Sequence, residues 1–292
     1  MNNNRRDALV AYLLVACVLF GSLALRVARA AEMRSGSWTI EKRTDEPGKV
    51  EFALIERRQH GMSSHNSEWP VGVFVGLDLG KPGRQDVHFT ITRDAGKFDC
   101  QGYVQDGEGA GIFHFFPDAK YAEQMGALGF SGIDDDKQYS MAVMDVSLAF
   151  AKEMKAQQLN GLDTEKLIAF RIFGVDSKFI GELRSAGLSA SESDKLVAFR
   201  IHGATPEWMA ELKKEGYDHV DLQQLIAFRI HGVSPEFIEK VQSLGYAHPE
   251  PAQLVAMRIH GVTPEFISRL KARGMQNLTI DDLVRLKIHG ID

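Results

Sequence analysis

The chain has 292 residues, 44% of them apolar and 25% charged, with a formal net charge of −5. That composition excludes a disordered chain and suffices for one large or two ordinary domains with real cores. The acidic balance argues against nucleic acid and anionic lipid as partners.

The first element is an uncharged run from Ala8 to Leu25, preceded by Arg5 and Arg6 and followed by the small-x-small sequence Ala28-Arg29-Ala30. This is the pattern of an export signal, with cleavage expected after Ala30. The run is also just long enough to span a bilayer, so residues 1–30 read either as a signal peptide or as a single N-terminal membrane anchor. Leu14-Val15-Ala16-Cys17 fits a lipid-attachment box, but the apolar run continues past Cys17 where a mature lipoprotein turns polar. Cys17 and Cys100 are the two cysteines. Processing would leave one thiol and no internal disulfide, so stability is expected from packing alone. The expected location is periplasmic or otherwise extracytoplasmic.

Residues 37–116 carry a period of two. Val50, Phe52 and Leu54 alternate with Glu51 and Ala53, and Val87, Phe89 and Ile91 with His88, Thr90 and Thr92. Half-buried strands have this pattern. Turn signals at Asp45-Glu46-Pro47-Gly48, Asp94-Ala95-Gly96 and Asp106-Gly107-Glu108-Gly109 divide the region into an antiparallel sheet of about five or six strands. Val71 to Leu79 reads equally as a strand or a short helix. Gly107 to Gly111 lies between strands, so it is expected to be a hairpin and not a dinucleotide fingerprint.

From residue 117 the period changes to 29. Arg171-Ile172-Phe173-Gly174 recurs with histidine at Arg200 to Gly203, Arg229 to Gly232 and Arg258 to Gly261, and closes as Lys287-Ile288-His289-Gly290. In the same register stand the aromatics Tyr121, Phe150, Phe179, Trp208, Phe237 and Phe266, and the glycines Gly129, Gly187, Gly216, Gly245 and Gly274. Thr205-Pro206-Glu207, Ser234-Pro235-Glu236 and Thr263-Pro264-Glu265 are helix starts: a capping hydroxyl, a proline at the first turn and a carboxylate at the positive end of the dipole. The periodic glycine ends that first helix. A second helix begins at capping-box spacings such as Ser191 to Asp194 and Thr279 to Asp282 and includes Leu196-Val197-Ala198-Phe199-Arg200-Ile201. That stretch is apolar almost all round, so it is expected to lie between neighbouring helices. Its alanine, at 169, 198, 227 and 256, becomes Arg285 in the last copy, as an open end of a stack requires. The sequence therefore predicts an α+β chain: an N-terminal antiparallel β domain over 37–116, followed by an α-solenoid of two-helix repeats over 117–292. With no flexible linker between them, the sheet is expected to cap the array.

The candidate sites are of three kinds. His202, His231, His260 and His289 occur once per repeat, about 9–10 Å apart by ordinary helix packing, which is too far for one metal ion, so no metal or other cofactor is expected. Each is expected to close the last turn of its helix beside a basic residue. Arg171, Arg200, Arg229, Arg258 and Lys287 form a basic ladder with Glu207, Glu236 and Glu265 opposite; it reads as pairing between repeats or as a groove for an acidic protein or peptide. In the β domain, His60, Ser63, Ser64, His65 and Trp69 occupy what reads as a polar loop, a possible ligand-binding loop. A hydrolase site there lacks a nucleophile elbow, a zinc helix and a phosphate loop, and no catalytic residue is assigned. Ile230-His231-Gly232-Val233-Ser234-Pro235 loosely matches helix-hairpin-helix DNA-binding elements, but serine or threonine replaces their second, phosphate-contacting glycine.

The succession Arg93-Asp94-Ala95-Gly96-Lys97-Phe98, Gly109-Ala110-Gly111-Ile112-Phe113, Asp145-Val146-Ser147 and the repeated Ile-His-Gly-Val-Ser/Thr-Pro-Glu-Phe resembles a family of bacterial exported proteins. Similar regions are attached to membrane zinc-peptidase sensors of the β-lactam-responsive type. The resemblance implies a sensor or regulatory accessory at the cell envelope. This chain has no zinc-peptidase motif and no run of membrane helices, so peptidase activity is not carried over. Sequence and resemblance together point to a non-enzymatic envelope scaffold that binds a protein or peptide, with ligand sensing through the β domain as the alternative.

Overall fold

The computed structural model describes residues 34–43, 45, 46, 48–58 and 61–291. The expected export segment, residues 1–30, lies outside them. Among the described residues no helix is long and apolar enough to cross a membrane. The chain divides into two compact units, one running to Thr92 and resuming over Gly96–Asp118, the other made of Arg93–Ala95 and everything from Ala119 onward.

The first unit is a six-stranded antiparallel sheet. Its strands are β1 (Arg34–Lys42), β2 (Lys49–Arg58), β3 (Gly61–Pro70), β4 (Arg84–Arg93), β5 (Gly96–Gln105) and β6 (Glu108–Pro117), in the order β3-β2-β1-β6-β5-β4. Two meanders thus meet where β1 pairs with β6, from Arg34 opposite Phe115 to Glu41 opposite Glu108. The period-two pattern puts Trp38, Ile40, Phe52, Leu54 and Phe113 on one face, where all are buried. Phe89 and Phe74 close over them, edge-on to Trp38 and Phe52 at centroid distances of 5.0 Å each.

One expectation is corrected and one open reading is decided. The polar stretch over His60 to Pro70 is not a loop: from Gly61 onward it is strand β3, registered against β2 from Arg58–Gly61 to Lys49–Pro70. An edge strand paired on one side needs backbone groups more than apolar side chains, and Trp69 anchors it in the core. Of the two readings open for Val71 to Leu79, the short helix forms in part and no strand forms. The segment makes a short 3₁₀ turn at Val71–Val73 and one isolated bridge, Val75 with Thr90, which together deliver Phe74 to the core.

The sheet centre depends on close backbone approach. Trp38 stands opposite Gly111, which stands opposite Gly102, and the indole Nε1 of Trp38 donates to both Gln101 O (3.2 Å) and Ile112 O (3.1 Å). A Cβ at Gly111 would lie 2.0 Å from Gln101 O. Gly111→Ala is expected to destabilise this unit by about 2–3 kcal/mol, measured by chemical denaturation followed through tryptophan fluorescence.

The second unit is helical. Its helices are α1 (Tyr121–Ala127), α2 (Asp135–Val143), α3 (Leu148–Ala156), α4 (Thr164–Phe173), α5 (Ser177–Ser185), α6 (Ser193–Ile201), α7 (Pro206–Lys214), α8 (Leu222–His231), α9 (Pro235–Ser243), α10 (Pro251–Ile259), α11 (Pro264–Ala272) and α12 (Ile280–Ile288). Thr205, Ser234 and Thr263 accept from the amides of Trp208, Phe237 and Phe266, as their sequence signals predict. The glycines ending the first helices take φ of +84° to +95°, a conformation costly for any residue with a Cβ. The capping box forms at Thr279 and Asp282 but not at Ser191 and Asp194. There Ser191 O accepts from Asn160 N (2.7 Å) and Ser193 N donates to Asn160 O (3.1 Å), so the preceding repeat caps α6 through its backbone.

The even-numbered helices from α4 to α12 pack against one another in succession as one layer, and α7, α9 and α11 do so in the other. Phe170, Phe199, Phe228 and Met257 fill the space between layers and are fully buried. This is the α-solenoid that the 29-residue period predicts.

Candidate interaction surface

Each arginine of the ladder reaches two places at once. The guanidinium of Arg200 lies 3.9 Å from the centroid of Phe179, that of Arg229 lies 5.1 Å from Trp208, and that of Arg258 lies 5.0 Å from Phe237. Arg171 sits 5.2 Å from Phe150, and Lys287 places its ammonium 4.3 Å from Phe266. In every case the ring belongs to the first helix of the same repeat, 21 residues earlier.

The same arginines donate backwards into the preceding repeat. Arg171 Nε reaches Met144 O (3.0 Å), Arg200 Nη2 reaches Gly174 O (2.7 Å), Arg229 Nε reaches His202 O (2.9 Å) and Arg258 Nε reaches His231 O (3.3 Å). These carbonyls belong to the last turns of the second helices or to the junctions that follow, where acceptors lack intrahelical partners. Arg171 also contacts Asp145 Oδ2 at 3.1 Å. The ladder therefore ties repeats together. Glu207, Glu236 and Glu265 do not pair with it. Their carboxyls are held below the usual range by their own backbone amides and the capping hydroxyls of Thr205, Ser234 and Thr263; at Glu236 the Ser234 hydroxyl is the larger cause.

The histidines enter this arrangement through their backbone. His202, His260 and His289 are the C-caps of α6, α10 and α12, and His231 is the last residue of α8.

The residue between arginine and histidine is what the array turns outward. Ile172, Ile201, Ile230, Ile259 and Ile288 are 50%, 52%, 52%, 55% and 57% exposed, and Phe173 widens the stripe at its first copy. The expectation that this stretch is buried between helices holds for Leu196 and Phe199 but not for Ile201. At about 100° per residue, Ile201 is some 200° around the helix from Phe199, so the core cannot take both. A helical wheel of one repeat contains that signal; the nearly continuous apolar sequence conceals it. One branched apolar side chain per repeat, at ordinary inter-repeat spacing, makes a row with a step of about 9–10 Å.

In the β unit, His60 lies outside the described residues. Ser63 and Ser64 are exposed and point to opposite faces of β3. His65 pairs with neither of them: its Nε2 is 3.1 Å from Ser67 Oγ, which accepts from the buried Trp69 Nε1 at 2.7 Å. Ser67, absent from the sequence-based candidates, thus satisfies the indole. The larger feature is on the other face of the sheet, a concavity of about 710 Å³ lined by Thr39, Glu41, Glu51, Asn66, Tyr103 and Glu108 among others. Glu51, Glu41 and Glu108 stand directly opposite one another on β2, β1 and β6. Among the described residues no group of three or more histidine, cysteine or acidic side chains is arranged to hold a metal ion. No protein-family model, curated protein or solved structure matches the chain.

Replacing Arg229 by alanine is expected to cost about 1–2 kcal/mol of array stability, from the lost carbonyl hydrogen bond and ring contact, whereas lysine at this position costs less because it keeps the charge over the ring. Thermal unfolding of the two variants checks the order. Burial lowers the pKa of His65 below its ordinary 6.5. The unfolded chain then binds the proton more readily, so stability is expected to fall as pH drops through and below 6.5, with an NMR titration midpoint for His65 under that value.

Proposed function

We propose that this protein is a non-enzymatic cell-envelope scaffold whose second-helix layer binds a polypeptide partner. The observation that carries the reading is the row of five half-exposed isoleucines in one register. Soluble monomers rarely keep a large contiguous apolar patch on their surface unless something covers it. An amphipathic helix laid along the layer suits the row, because seven residues of helix advance about 10.5 Å, close to the inter-repeat step of about 9–10 Å. The site outside the cytoplasm rests on the charge-free run Ala8 to Leu25 and the small residues at Ala28 and Ala30. A sensor or regulatory accessory is the role that the family resemblance adds.

The ladder arginines serve this surface indirectly, by fixing the spacing of the isoleucines. Ile201→Ser, Ile230→Ser and Ile259→Ser combined are expected to leave the melting temperature within a few degrees of wild type, since surface changes are small in effect. The same variant is expected to lose a partner that crosslinks to the wild-type protein in its native cells. Retention of that partner by the folded triple variant rejects the surface.

The concave face of the sheet favours a second reading, in which the β unit senses a cationic or amino-bearing cell-wall fragment through Glu41, Glu51 and Glu108. Three like charges side by side on paired strands oppose folding and suit a positive ligand. Glu41→Gln is expected to raise the melting temperature and to weaken any response to amino sugars in a thermal-shift screen. A fall in melting temperature contradicts this reading.

A further inference from the structure

The first-helix layer has its own ties between repeats. Arg184 Nη2, Gln242 Nε2 and Lys271 Nζ each donate to the carbonyl 27 residues back, at the end of the preceding first helix: Gln157 O, Glu215 O and Leu244 O. The hydroxyls of Tyr217 and Tyr246 donate 32 residues forward, to Pro249 O (2.6 Å) and Leu278 O (2.9 Å).

Between α5 and α7 neither tie exists. Lys213 is the register equivalent of Arg184, Gln242 and Lys271, yet among the described residues it makes no hydrogen bond or ion pair, and Ala186 O, its expected acceptor, receives nothing. The tyrosine position is Leu188, which has no hydroxyl to donate to Val220 O. At this seam lies a cavity of about 220 Å³, walled by Leu183, Leu188, Met209 and Val220 with Lys213, Glu182 and Asp218 also in its lining. Glu182 lies 3.8 Å from the ammonium of Lys178, and Asp218 lies 3.5 Å from the His219 ring. Among the described residues Lys213 makes no ion pair, Glu182 has a single long contact, and Asp218 is paired only when His219 is protonated.

We propose that this seam binds the C-terminal residue of a polypeptide. Three vacant functions meet at it: an apolar hole, an uncommitted ammonium and an unused helix-end carbonyl. A chain end offers the complement of all three from one residue, namely its side chain, its carboxylate and its amide N–H. The volume is below the roughly 300–1,000 Å³ of small-molecule pockets, so it suits one side chain rather than a whole ligand. The residues involved are separate from the isoleucine row, and the inference stands whether or not that row binds a partner.

The test is a methyl NMR titration of the full chain with three probes: N-acetyl-leucine, its amide, and 4-methylpentanoate, which lacks the N–H. Saturable shifts of the Met209 methyl are expected with N-acetyl-leucine, with affinity at least tenfold lower for each of the other two. Lys213→Gln is expected to reduce the acid to the affinity of the amide. Leu188→Tyr, which fills the cavity and restores the missing tie, is expected to abolish binding while the melting temperature holds or rises. Equal binding of acid and amide, equal binding of 4-methylpentanoate, or no saturable shift overturns the proposal.

Discussion

The array rests on one side chain per repeat that does two jobs. A guanidinium near the end of α4, α6, α8 and α10 covers an aromatic ring of its own repeat and donates to a helix-end carbonyl of the repeat before. Helix ends leave carbonyls without partners, and aromatic faces attract cations, so each contact satisfies a demand that the two-helix unit creates and cannot meet internally. Because the donor and the acceptor lie about one period apart, the interaction sets repeat spacing as well as stability. Where the last copy has Lys287, the ring contact persists without the forked geometry.

Once the arginines are engaged in this way, the residue beside them is displaced to the outside. Arginine, isoleucine and histidine follow one another in the last turn, and three successive positions on a helix face three directions. Phe199 and its equivalents take the interior, arginine takes the junction, and isoleucine is left toward solvent. The apolar row is thus a geometric consequence of the motif that holds the array together, which is why it recurs with the same fidelity. Nearest-neighbour coupling also means that a junction lacking some of its ties weakens locally without affecting the others, and the α5–α7 seam has that character.

The sheet follows different rules. Its centre is built on Trp38 lying over a pair of facing glycines, and its edge strand β3 carries mostly polar side chains. Hydropathy alone gives β3 the character of a loop, because the pairing with β2 that makes it a strand is a property of the partner and of the backbone. The same holds for Ser67: nothing in the order Ser-His-Asn-Ser-Glu-Trp says that the indole of Trp69 turns back to the hydroxyl two residues earlier.

Fold class, the two-helix repeat with its period, and most helix starts and stops follow from the order of amino acids alone. These are local properties, set by capping residues, glycines tolerant of positive φ, and the change of apolar period from two to helical. Tertiary structure decided which of several periodic residues are used and which are left over. Arg229 and Ile230 recur with equal regularity, yet one is drawn into a junction and the other faces solvent, because only stacked neighbours supply the carbonyl and ring that tell them apart.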